Sequence, residues 1–331
     1  MSKIVIGLDL DGSLESLTNS MRELSEALSQ RPTCELVTFR TRSSAPSDVR
    51  LRGRRFWGPL WRRSLGPTID KQLAGVDVVH VAGVVTPPTT DIPLIISVDD
   101  LRPLRDDART QQRLHQLERA VRRGAKIVAS SRTAAHEVQD VLGLQREQFA
   151  VVRPPVGSLP RTTDGKRLVV NVTGQVDRFL MFASQFAAFA SEHHADLVVV
   201  GSSALATRLR EARVPATFLH RSHAADAIAH ARVVINMTDG ARFPAFAIAA
   251  LGAGVPTMTR DTAINRELLS GAAQLITDDS EIMPMLTALW EDEARRAIAT
   301  TAGLHRAFDF APAQVASIYD TLYHDVLRSR A

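Results

Sequence analysis

The chain has 331 residues, of which 45% are hydrophobic and 23% charged, a balance that excludes a disordered chain and a length that calls for two domains of roughly 150 residues rather than one core. The net charge is +4 and the single cysteine, Cys34, excludes an internal disulfide. No apolar run approaches the ~20 residues that span a bilayer, and the run after Met1 is too short and lacks the cleavage residues of a secretory signal, so the expectation is a cytoplasmic protein.

In chain order, "KIVIGLDL", "CELVTF", "VDVVHVA", "PLIISV", "KIVAS" and "FAVVRP" read as strands, and a second series follows as "RLVVNVTG", "DLVVVGS", "ATFLH", "RVVINM", "VPTMTR" and "AQLIT". Helical periods lie between them, in "SLTNSMRELSEALSQ", "RTQQRLHQLERAVRRG", "RTAAHEVQDVLG", "RFLMFASQFAAFASEH", "AFAIAALGAG" and the long "DSEIMPMLTALWEDEARRAIATTA". Continuously apolar strands joined by crossover helices mean a parallel sheet covered on both faces, and the series occurs twice. The aperiodic "RPPVGSLPRTTDGKR", residues 153–167, reads as the linker. The final "APAQVASIYDTLYHDVLRSR" reads as one amphipathic helix with Val315, Ile318, Tyr319, Leu322 and Leu327 near one face.

Two local features invite functional readings. "VRLRGRRFWGPLWRR" sets Arg50, Arg52, Arg54, Arg55, Arg62 and Arg63 around Phe56, Trp57 and Trp61. It fits a solvated helix whose aromatics pack inward, docking on an anionic membrane face, or nucleic acid. No aromatic-strand RNA motif or recognition-helix pattern accompanies it, so nucleic acid is not expected as a partner. The opening "GLDLDGSL" is similar to the start of haloacid-dehalogenase-type phosphatases, with Asp9 as nucleophile and Thr38, Lys71, Asp99 and Asp100 as a companion set. That set falls within the first hundred residues and leaves the rest of the chain unexplained. His193, His194, His220 and His223 lack a third partner at metal spacing, so no metal is expected.

From Leu73 onward the chain resembles the retaining glycosyltransferases of family 4. "DVVHVAGVVTPP" is similar to the family's "DVVHxxxxxxPP", "IPLIISVDDLRPLRDD" to "xxVVTVHDLxPLxxP", and "RRGAKIVASSRTAAHEVQDVLGLQREQFAVVRPPV" to "xxADxIIxxSxxTxxElxxxLGxxxxxxxVVPPGV". "VVNVTGQVDRFLMFASQFAAF" resembles "LLxVGTLxPRKNLxxLLxAF", and "AHARVVINMTDGARFPAFAIAALGAGVP" resembles "AxADVxVxPSxxEGFGxPxLEAMAxGxP". The resemblance implies an α/β chain of GT-B fold: two facing Rossmann-like domains, a deep interdomain cleft and a C-terminal helix. The domains would be residues 1–157 on the acceptor side, 158–310 on the nucleotide-sugar side, and a helix over 311–331 packing back on the first domain.

The implied activity is a hexosyltransferase-type transfer from a nucleotide-diphosphate sugar to an acceptor hydroxyl, with no cofactor. Transferred residue by residue, the catalytic candidates are Asp99, Asp100 and Arg178. The donor-binding candidates are Thr173, Gly174, Arg178, Gly201, Asp239, Arg242 and Gly254; the acceptor-side candidates are Asp11, Gly12, Ser13 and Ser130. Ser130 and Ser131 also suit a helix N-cap, and Gly201 a tight turn. The chain departs from the family where Phe179 replaces a Lys and where Ala241 and Ala249 replace two Glu; Asp239, Arg242 and Arg260 stand nearby. A GT-B-shaped binding protein with a weakened donor pocket is the alternative.

Overall fold

A computed structural model describes residues 3–12, 15–63, 65–82, 85–98, 108–161, 165–238 and 242–329. The chain divides into two compact units, Met1–Pro155 with Ala311–Ala331, and Val156–Phe310.

The first unit runs β1 (Ile4–Asp9), α1 (Glu15–Ser29), β2 (Cys34–Phe39), α2 (Arg54–Trp61), β3 (Val78–Val81), β4 (Leu94–Val98), α3 (Ala108–Arg122), β5 (Lys126–Ala129), α4 (Arg132–Leu142) and β6 (Phe149–Val151). Its six strands are parallel in the order β2-β1-β3-β4-β5-β6. Every residue of β3 and β4 is buried, which is why both read as apolar runs broken only by His80 and Ser97, each of which is the other's hydrogen-bond partner. α1 buries Leu17, Met21, Leu24 and Leu28, spaced for one helix face. Ser131 caps α4 by accepting from the Ala134 N–H.

The second unit repeats the plan: β7 (Arg167–Thr173), α5 (Val176–Glu192), β8 (Asp196–Gly201), α6 (Ser203–Glu211), β9 (Thr217–His220), α7 (Ala224–Ala229), β10 (Ala231–Thr238), α8 (Ala245–Gly252), β11 (Thr257–Arg260), α9 (Ala263–Leu269), β12 (Gln274–Ile276), α10 (Ile282–Glu291) and α11 (Glu293–Phe308). The parallel order is β12-β11-β10-β7-β8-β9. Leu168, Val170 and Val172 face a core with Phe179, Phe186 and Leu286, while Val169 and Val234 face Ala227, Ile228 and Ala250 on the other side. Chain direction across this sheet reverses between β7 and β10, and their carboxyl ends lie level, Thr173 opposite Thr238. In open α/β sheets that switch point is where ligands bind.

The long helix expected over 279–302 is two. Asp292 leaves helical geometry (ψ 104) and its carboxylate accepts from the Arg295 N–H, starting α11 afresh. The chain then returns to the first unit as α12 (Pro312–Arg328). α12 buries Val315, Ala316, Tyr319, Tyr323 and Val326 against Ile6, Leu24, Val78 and Ile95. Ile318, expected on that face, is 49% exposed: it is displaced from the Val315–Tyr319–Tyr323 row. No helix of the described residues is long and apolar enough to cross a membrane.

Candidate functional site

The carboxyl-terminal rim of the second sheet gathers charge. β7 ends in Thr173, and Gly174, exposed with φ 75, turns the chain into α5. Arg178, in the first turn of α5, donates from Nη2 to Asp279 Oδ1. Arg260, the last residue of β11, donates from Nη1 to the same oxygen at 2.7 Å. Two elements, α5 and β11, therefore converge on a carboxylate carried by a third segment. Arg178 Nε is buried without a hydrogen-bond partner.

The loop that carries Asp279 is itself fixed. Glu281 Oε2 accepts from the Thr277 and Asp278 N–H groups, and Asp278 accepts from the Ser280 N–H and hydroxyl. The Ser280 contacts, and then the charges of Arg260 and Arg178, hold the Asp278 carboxyl below the usual carboxylate range.

Beneath the rim lies a buried polar seam. Asn171 on β7 donates to Asn236 Oδ1 on β10 at 2.7 Å, and Asn265 on α9 donates to Thr259 Oγ1 at 3.0 Å and to the Arg260 carbonyl at 2.9 Å. With the bond from Asn236 Nδ2 to Thr259 Oγ1 at 3.4 Å, they link β7, β10 and β11 and hold the backbone that presents Arg260. Asn265 Oδ1 is buried and unpartnered.

Other expected donor residues divide by position. Arg242 opens the segment into α8 and is half-buried. Gly201 is buried at the end of β8, where a Cβ would stand 2.9 Å from the Val172 carbonyl oxygen, so close strand packing accounts for it. Gly254 lies before the amino end of β11, at the opposite edge of the sheet from the rim, and its carbonyl accepts from Arg161 and Thr300. Asp239 and Ala241 lie outside the described residues. Phe179 is fully buried, stacked on Phe186 with ring centroids 6.0 Å apart, so its position faces the core and not the rim. Ala249 packs against the core of α7 and β10.

In the first unit, Asp9 ends β1 with no exposed surface. Its carboxylate accepts from Thr41 Oγ1 at 2.6 Å, from the Thr41 N–H at 3.3 Å and from the Asp11 N–H at 3.0 Å. Burial outweighs those bonds and pushes its pKa up to about 7. Asp11 accepts from Arg40 Nη1 at 3.0 Å and from the N–H groups of Arg42 and Ser43 at 2.6 and 2.8 Å. Although partial burial opposes it, this donor set holds the Asp11 carboxyl low. The Gly12 N–H donates to Thr18 Oγ1 at 3.0 Å.

The remote phosphatase alternative is not favoured by the first unit. Asp9 is enclosed with both oxygens occupied and offers no attack trajectory; Thr38 is bound to Asp48 at 2.8 Å; Lys71 is exposed on the segment that enters the amino end of β3. Ser130 is buried beside a small cavity lined by Ser20, Ser97, Pro155 and Tyr319. Asp99, Asp100 and Ser13 lie outside the described residues.

Sequence reasoning missed Asp279 and the asparagine seam. The seam had a signal, since Asn171 and Asn236 interrupt two otherwise apolar strands, "LVVNVT" and "RVVINMT", at the same register.

Residues 17–157 match the family model described as Glycosyltransferase Family 4. No curated protein matches the chain in sequence. Among solved structures, the fold is similar to a sucrose-phosphate synthase of Thermosynechococcus elongatus (TM-score 0.71, 14% identity, covering 99% of this chain and 100% of that one). It is also similar to Anabaena HepE in complex with UDP and glucose (TM-score 0.68, 15% identity, 97% and 99%). A third likeness is to WaaG, a glycosyltransferase involved in lipopolysaccharide biosynthesis (TM-score 0.62, 14% identity, 96% and 99%). The two six-stranded parallel units with their returning helix are thus the GT-B fold.

Proposed function

We infer that this chain, a GT-B glycosyltransferase whose first unit carries the Family 4 signature, moves a glycosyl group from a nucleoside-diphosphate sugar to an acceptor hydroxyl with retention of configuration. The observation that carries the reading is the convergence of Arg178 and Arg260 on Asp279 Oδ1 at the rim of the second sheet. Two guanidinium groups around one carboxylate oxygen form an anion site. A diphosphate brings about two negative charges to it, and its departure from the sugar is assisted by cations fixed in advance.

In this reading Gly174 lets the phosphates approach the free N–H groups at the start of α5. Thr173 and Arg242 add contacts from the neighbouring strand ends. Asp99 and Asp100, after β4, supply the carboxylates on the acceptor side. That HepE binds UDP with glucose supports a uridine nucleotide as the first donor to try.

The burial of Phe179 and the alanine at position 249 favour a second reading, binding without efficient turnover. Thermal shift against UDP-, GDP- and ADP-sugars at millimolar concentration tests the donor site, because a ligand held by the native state alone raises the melting temperature. One nucleotide family should stabilise the protein, and silence across the whole panel would sink both readings. Release of nucleoside diphosphate in the presence of acceptor then separates transfer from binding.

A further inference from the structure

α2 displays two aromatic side chains that belong to no hydrophobic core cluster of the described residues. Phe56 is 78% exposed and Trp57 41%, whereas Trp61 on the same helix is fully buried, its indole N–H donating to the Pro67 carbonyl at 3.0 Å. An inward-packed aromatic set therefore describes Trp61 alone. Arg50, Arg52, Arg55, Arg62 and Arg63 are all exposed around the pair. No Asp or Glu occurs between Asp48 and Asp70. Helical spacing sets Arg55, Phe56, Pro59, Arg62 and Arg63 along the outward side.

α3 continues the basic face. Gln116 Nε2 donates to the Trp61 carbonyl and Arg119 Nη1 to the Arg63 carbonyl, each at 3.2 Å. Arg63, just past the end of α2, lines a groove with Gln111, Gln112, His115, Gln116 and Arg119 of α3. Glu118 lies nearby and is engaged by Arg122 at 3.2 Å.

We propose that this face docks the first unit onto an anionic phospholipid bilayer. Phe56 and Trp57 enter the boundary between headgroups and acyl chains, the arginines meet lipid phosphates, and the groove of Arg63, His115 and Arg119 receives one headgroup. The occupant follows from the combination of charges and apolar tips. Cations alone suit any polyanion, but exposed aromatics at the crest of a cationic helix gain most where an apolar phase lies behind the negative surface. The proposal is independent of the donor site.

The test uses the full chain and vesicles of phosphatidylglycerol with phosphatidylcholine, against phosphatidylcholine alone. Of the three tryptophans, Trp61 and Trp290 are buried, so a blue shift of emission on vesicles reports Trp57. The expected result is co-sedimentation with the anionic vesicles at low salt, accompanied by that shift, weakened by salt and absent without phosphatidylglycerol. Each arginine near such a surface contributes about fivefold, so Arg55→Gln, Arg62→Gln and Arg63→Gln together should lower partitioning on the order of a hundredfold. Phe56→Ser should lower it several-fold at every salt concentration, with unchanged melting temperature. Failure of the parent protein to co-sediment at low salt overturns the proposal, as does binding that survives both variants. Overturning it in favour of nucleic acid would be a single-stranded oligonucleotide that shifts Trp57 at lower concentration than lipid and displaces the vesicles.

Discussion

Arg178 and Arg260 share one acceptor atom, Asp279 Oδ1, from positions 101 and 19 residues away in sequence. All three side chains are partly exposed, so the cluster adds little to stability, and its arrangement bears on ligand binding. A carboxylate between two guanidinium groups competes with any incoming phosphate. Asp279→Asn should therefore tighten nucleoside-diphosphate binding by about tenfold, on the order of 1 kcal/mol. Arg178→Gln should weaken binding and cut turnover by about 10²–10³. Calorimetric titration of both variants with UDP, followed by kcat on the productive donor, checks this. Weaker binding by Asp279→Asn would mean that the carboxylate aligns the arginines and does not compete.

Asp9 and His80 give the first unit opposed pH responses. His80 is fully buried between Tyr323 Oη and Ser97 Oγ, 2.8 Å from each, and burial pushes its pKa down to about 3 from an ordinary 6.5. The unfolded chain binds the histidine proton more readily, so this contribution is full above pH 6.5 and fades as pH falls toward 3. Asp9, pushed up to about 7 from 3.8 by burial, does the reverse: its contribution is full below pH 3.8 and is lost as pH rises through 7. Between about pH 4 and 6.5 the two slopes, each at most about 1.4 kcal/mol per pH unit, largely cancel. Asp9→Asn removes one of them. Its stability relative to the parent should rise with pH by up to about 4 kcal/mol between pH 4 and 8, measured by urea unfolding at intervals. A pH-independent difference would show that Asp9 stays ionised in the fold.

The same residues explain what the sequence could and could not reveal. Strands such as "VVHV" and "LIISV" are legible because both sheet faces are covered and every position is apolar or buried. The short α6 and α7 offer too few turns to establish a period, and Asp292 breaks the long helix through a cap whose geometry no periodicity encodes. Arg178 could be singled out because it sits beside a strand end within a motif. Asp279 could not, since its relation to Arg178 and Arg260 exists only after β7, β11 and β12 pair into one sheet. Burial likewise decides between Asp9 as a nucleophile and Asp9 as a loop anchor, and a local motif carries no burial.

Gly174 and Gly201 both end strands of the second sheet, and they should respond differently to alanine. At Gly201 a Cβ would approach the Val172 carbonyl oxygen to 2.9 Å and Leu205 Cδ2 to 2.4 Å, with backbone on one side unable to yield cheaply. Gly201→Ala should cost about 1–3 kcal/mol of stability and leave ligand affinity little changed. Gly174 is exposed with φ 75, so alanine there costs about 1–2 kcal/mol through the backbone alone. If phosphates approach this turn, Gly174→Ala should also weaken nucleoside-diphosphate binding by tenfold or more. Paired melting and titration curves separate the two effects, and equal loss of affinity in both variants would assign Gly201 to the ligand as well.

Asp320 shows how the last helix is held. It is nearly buried on α12 and accepts from Arg31 Nε at 2.9 Å, from Thr33 Oγ1 at 2.8 Å and from the Cys34 thiol at 3.4 Å. Those donors belong to the turn between α1 and β2 and to the first residue of β2, so one carboxylate spans 289 residues of sequence to fasten α12 to the first unit. Partial burial opposes ionisation, yet the hydrogen bonds from Thr33 and Arg31 prevail and keep the carboxyl below its ordinary range. Its contribution is therefore present above about pH 4 and lost as acid protonates it. Asp320→Ala leaves Arg31 and Thr33 without their acceptor and should destabilise the first unit by about 2–4 kcal/mol. Limited proteolysis should then cut first at the entry to α12, around Ala311, where the chain crosses from the second unit. Urea unfolding and the order of proteolytic fragments read both consequences, and a variant that resists cleavage there would shift the credit for holding α12 to Tyr319, Tyr323 and their bonds to Ser97 and His80.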